Sequence, residues 1–120
     1  MIKVAFVFRS PPYGSSAIRE GLDALLATSA FCAEDQIAVF FLDDGVLNLL
    51  PNQQSDRILQ KDVAASLKLL TLYDIEQCYL CQRSWQALGL SHLSPSLPVI
   101  RLKENDLFQT LAQAEKILTF

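Results

Sequence analysis

Residues 36–42 read QIAVFFL, six apolar side chains in a row after Gln36. A strand with one face in water alternates apolar and polar residues. An unbroken run this short, rich in β-branched and aromatic residues, is a strand covered on both faces. Working outward, IKVAFVF at 2–8 has the same character, and YDIEQCYL (73–80), PVIRL (98–102) and KILTF (116–120) read as further strands. The segments between them follow a helical period. Ala17 to Phe31 carries Ile18, Leu22, Leu25 and Leu26 on one stripe, with Ser15 or Ser16 available as a cap. VLNLLPNQ reads as a short helix stopped by Pro51, and residues 57–70 place Leu59, Val63, Leu67 and Leu70 at helical spacing. QRSWQALG (82–89) is a short helix closed by Gly89, and ENDLFQTLAQAE (104–115) a helix on Leu107, Leu111 and Ala114. Alternating helices and doubly buried strands predict an α/β fold: a three-layer sandwich around a mostly parallel five-stranded sheet, as one domain over 1–120.

Composition narrows the function classes. The chain is 51% apolar and only 19% charged, which points to apolar surface that meets other subunits. Its ten basic residues are scattered and the net charge is −3, so the stripe of Lys and Arg that grips nucleic acid is missing. No apolar run approaches the roughly 18 residues of a membrane helix, and the first twelve residues, MIKVAFVFRSPP, do not form a signal peptide. The chain reads as cytoplasmic, where thiols stay reduced, and three cysteines cannot complete a disulfide framework.

In parallel sheets chemistry gathers at the carboxyl ends of the strands. Three loops stand there: RSPPYG after the first strand, DDG (43–45) after the second, and CQRS (81–84) after the third. The pair Cys78 and Cys81 in QCYLCQ therefore needs sorting. A dithiol redox motif starts a helix at its first cysteine, but here the helix starts after the second. A metal site would draw on Cys32, Cys78, Cys81 and His92, which lie at no familiar ligand spacing. Cys78 falls inside a strand and reads as core, and Cys32 as packing at a helix end. Cys81 stands at a strand edge beside a helix N-terminus, with Arg83 near. It is either a nucleophilic sulfur or a small packed residue.

Other motifs give less. RSPPYGSSAIREG lacks the glycine patterns of a phosphate loop, and its two prolines remove backbone donors. DDG fits a turn and helix cap. His92 sits in the polar loop LSHLSPS, Trp85 and Tyr79 read as core or interface aromatics, and Tyr13 is either exposed or lines a cleft with Cys81. No cofactor and no metal is expected.

Four stretches carry a family resemblance: VAFVFRSPPYGSSAIREGLDALLATSAF, IAVFFLDDGVLNLLPNQ, LKLLTLYDIEQCYLC and AEKILTF, with REGLDALLATSA and LYDIEQC the most specific. They run nearly end to end and resemble the DsrE/DsrF-like family, within it the C-type subunit of a sulfurtransferase complex. The resemblance implies a small α/β sandwich and a heterohexamer with two copies each of B-type, C-type and D-type subunits. It implies a relay that takes persulfide sulfur from an upstream carrier protein and hands it to a downstream one, for the 2-thio group of a tRNA wobble uridine. It also implies that the essential cysteine belongs to the D-type subunit, at the strand end that Cys81 matches here, so that this chain is structural and Cys81 vestigial or auxiliary. Direct contact with nucleic acid or membrane is not expected.

Overall fold

The two longest apolar runs become the centre of the sheet. β1 (Val4–Phe8) and β2 (Ile37–Phe41) lie parallel, with Val4 beside Ile37 and Phe8 beside Phe41. All of β2 is buried, and β1 is buried from Ala5 onward. The computed structural model describes residues 2–50 and 67–120. It completes the sheet with β3 (Cys78–Cys81), β4 (Ile100–Leu102) and β5 (Lys116–Thr119), all parallel, in the order β4-β3-β2-β1-β5. The outer strands β4 and β5 are largely exposed, as edge strands with one neighbour must be.

The order of the strands fixes the layers. From β1 to β4 each step moves the same way across the sheet, and only β5 returns to the far side of β1. Parallel crossovers are right-handed, so the first three connections fall on one face and the last on the other. On the first face lie α1 (Ala17–Thr28), a 3-10 helix (Asp43–Leu49), the one-turn α2 (Leu69–Leu72) and α3 (Gln82–Ala87). Ile18, Leu22, Leu25, Leu70 and Trp85 from these elements pack on Phe6, Phe8, Val39, Phe41, Cys78 and Leu80. On the second face α4 (Glu104–Leu111) sets Leu107 against Ala5, Val7, Ala38, Phe40 and Cys81. Full burial of one such leucine contributes about 1.5–3 kcal/mol.

An aromatic cluster closes the first layer. Phe8 meets Phe41 at 5.5 Å and Phe120 at 6.0 Å, centroid to centroid, with tilted rings. Gly21 of α1 lies over this cluster, where an added Cβ would come within 2.4 Å of the Phe8 ring. A side chain there would push α1 off the sheet.

Several boundaries differ from the sequence reading. The first helix stops at Thr28, not Phe31, and Phe31 is 90% exposed. The helix from 82 ends at Ala87, with Gly89 at φ 74 closing it, and the helix from 104 ends at Leu111. The largest shift is in the third strand, expected over 73–80 but formed by Cys78–Cys81. Asp74 takes φ 59, and the Ile75 N–H returns to the Leu70 carbonyl at 3.0 Å, so Tyr73 to Ile75 belong to the end of α2. The short helix expected from VLNLLPNQ is a 3-10 helix that begins earlier, at Asp43, and ends at Leu49. The helix expected over 57–70 lies mostly outside the described residues.

Candidate functional site

The three loops that the sequence sets at the carboxyl edge interlock. Arg9, directly after β1, donates from Nε to Asp43 Oδ2 at 2.8 Å, and its Nη2 lies 2.6 Å from the same oxygen. Asp43, two residues past β2, holds φ 51, a left-handed conformation that Asp tolerates better than most residues. Its backbone N–H donates to Ser84 Oγ on α3 at 2.8 Å. Asn48, 1% exposed, donates from Nδ2 to the Ser10 carbonyl at 3.0 Å and the Gly45 carbonyl at 2.8 Å. Gly45 is the tightest point: a Cβ there would lie 1.8 Å from the Phe8 carbonyl oxygen. DDG is thus a turn that begins a helix, as the sequence indicates, and also a close backbone approach. Its glycine was the one visible signal of that approach; Asn48 gave none.

Outside this lock, α3 and α4 are bridged by Arg83 Nη1 and Glu104 Oε1 at 2.9 Å. A cleft of about 420 Å³ opens between them, lined by Asp44, Arg83, Ser84, Leu88 and Glu104 among others. Cys81 does not line it. Cys81 is the last residue of β3 and the N-cap of α3, as the sequence places it. Its side chain is turned to the second face, 3% exposed, in the cluster that holds Leu107 and Phe40, with Leu102 beside it in register. Tyr13 stands exposed on the loop after β1.

Cys78 begins β3 rather than lying within it. Its thiol is on the first face, 3% exposed, and donates to the Ile75 carbonyl at 3.5 Å. Burial pushes it up to about 11, so it stays a neutral thiol at neutral pH. It borders a cleft of about 380 Å³ with Leu70, Ile75, Leu97 and Pro98, at the sheet edge opposite the three loops. Cys32 is half-buried in the turn past the end of α1, and His92 is exposed. Among the described residues no group of three or more His, Cys, Asp or Glu side chains could hold a metal ion. None of the described helices is long and apolar enough to cross a membrane.

Comparison with known proteins adds to this geometry. A family model described as the DsrE/DsrF-like family matches residues 2–120. The chain is 50% identical over 119 residues to the "Protein TusC homolog" of Pasteurella multocida, covering 99% of this chain and 100% of that one. It is 48% identical over 121 residues to the "Protein TusC" of Escherichia coli O157:H7, with both chains fully covered. Among solved structures, the ychN protein from E. coli matches with a TM-score of 0.81 at 25% identity, over 100% of both chains.

Proposed function

The chain belongs to the DsrE/DsrF-like family, and from that premise we propose that it is the C-type subunit of a TusBCD-type sulfur-relay complex. In this reading it assembles with TusB-like and TusD-like subunits, two copies of each, as a cytoplasmic heterohexamer. The complex receives persulfide sulfur from an upstream carrier protein and passes it to a downstream one, for 2-thiolation of a tRNA wobble uridine. The observation that carries the reading is the near-half identity with TusC proteins along the whole chain.

Within the complex we infer a structural role, with the working cysteine on the TusD-like subunit. Two features support it. Cys81 is 3% exposed under α4, and a sulfur that accepts sulfur from another protein must be reached by it. Apolar side chains also stand in water: Phe31 at 90% and Leu72 at 73% exposure, a pattern that suits a chain made to be covered by partners.

A second reading makes Cys81 a persulfide carrier. Its position favours that reading, at the carboxyl end of β3 and directly before α3, where the resemblance puts the nucleophile of D-type subunits. One experiment separates the two. The assembled complex is loaded from a persulfide donor and each subunit is weighed, one added sulfur being about 32 Da on a nucleophilic thiol. The adduct is expected on the TusD-like subunit alone. An adduct on this chain at Cys81, with transfer lost in Cys81→Ser, would overturn the structural role.

A further inference from the structure

The two faces of the sheet are covered very unequally. On the first, α1, α2 and α3 set Leu22, Leu25, Leu70 and Trp85 into the core, each at 2% exposure or less. On the second, α4 is the one helix among the described residues, and Leu107 is its one fully buried side chain. Leu111 is half-buried and Phe108 is 47% exposed. The supports of α4 are weak at its start. The strand before it, β4, has three residues, with Ile100 and Arg101 exposed. Lys103 caps the helix without a side-chain hydrogen bond. The tie from α3 is the Arg83–Glu104 pair, whose side chains are 74% and 41% exposed, in the range where ion pairs add little. An element with few buried contacts and solvent-exposed ties opens well before the whole chain unfolds.

We propose that α4 is an opening cover over Cys81. It lifts from the sheet while β1, β2, β3 and the first-face helices stay folded, so α4 docking sets how often this sulfur meets solvent. A protein that draws α4 away would uncover a thiol that the lone chain keeps covered. The proposal holds whether or not sulfur passes through Cys81, because it concerns access and not transfer. The strand carries its own reference: Cys78, on the other face of β3, is buried in the first-face core beside the cleft at the far sheet edge, and α4 opening leaves those surroundings in place.

The test is alkylation of the full chain by iodoacetamide, followed residue by residue with peptide mass mapping. Each rate is divided by its value in the urea-unfolded chain. Cys81 is expected to react more slowly than the half-buried Cys32 and to speed up in sub-denaturing urea with a slope above zero but shallower than that of Cys78, whose raised thiol alone slows it in the folded chain. Leu25→Ala weakens only the first face, so it is expected to speed Cys78 more than about tenfold and leave Cys81 unchanged. Leu107→Ala is expected to speed both, since its contacts are lost in either opening. Equal urea slopes for Cys78 and Cys81, or Leu25→Ala speeding both alike, would mean that only global unfolding exposes Cys81 and would overturn the proposal. Cys81 reacting as fast as Cys32 would overturn it too, because no cover would then exist. The urea slopes decide in the wild-type chain if either variant fails to fold.

Discussion

Cys78 and Cys81 stand three positions apart on β3 and point to opposite faces of the sheet, one in the cluster that holds Leu70 and Trp85, the other in the cluster of Leu107. An odd spacing on a strand does this by itself, because successive side chains alternate. The two sulfurs share no site. Treatment with a thiol oxidant is expected to yield no Cys78–Cys81 disulfide in the folded chain. Non-reducing peptide maps check this, and a native-state crosslink between the two would refute the face assignment.

The meeting of Gly45 with the Phe8 carbonyl makes a sharp mutational contrast. Gly45→Ala forces a Cβ to 1.8 Å from that oxygen, which backbone must move to relieve. A loss on the order of 4 kcal/mol is expected, or failure to fold. Gly14→Ala meets nothing within 4 Å and pays only for its φ of 88, about 1–2 kcal/mol. Urea unfolding of both variants measures the difference.

The lock at the carboxyl edge has a buried half and an exposed half. Asn48→Ala leaves the Ser10 and Gly45 carbonyls without their side-chain donor and is expected to cost about 1–3 kcal/mol. Arg9→Ala removes an ion pair whose side chains are 57% and 50% exposed, and is expected to cost less than about 1 kcal/mol. The same denaturation assay ranks them; a larger loss for Arg9→Ala would show that the charge pair, not Asn48, holds the loops.

Cys78 ties stability to alkaline pH. Burial raises its thiol from 9.0 to about 11, so above pH 9 the unfolded chain releases a proton that the folded chain keeps. Stability is therefore present in full below the unfolded value and falls as pH rises toward the folded one. The loss through this group is on the order of 2–3 kcal/mol once both states have titrated. Comparing urea midpoints at pH 8 and near 11 for wild type and Cys78→Ala isolates it: the variant is expected to show the smaller drop.

How much of this was legible in the sequence depends on the residue. Unbroken runs such as QIAVFFL declared buried parallel strands, and the structure has them at the centre of the sheet. The start of β3 was hidden, because Tyr73 and Ile75 are good strand formers while the reversal rests on one left-handed residue, Asp74, that is not a glycine. The edge loops could be named, since strand ends dictate them. Their lock could not, because Asn48 reaches Ser10 across 38 residues and nothing local marks that contact. Cys81 stands at the end of its strand, where the sequence puts it, but its burial depends on α4, which arrives from the last crossover and packs on the opposite face.

Assembly is the claim on which the functional reading turns. The decisive measurement is the native mass of this chain co-expressed with TusB-like and TusD-like subunits. The expected result is one species containing two copies of each chain. Recovery of this chain as a stable monomer, with neither partner bound, would contradict it.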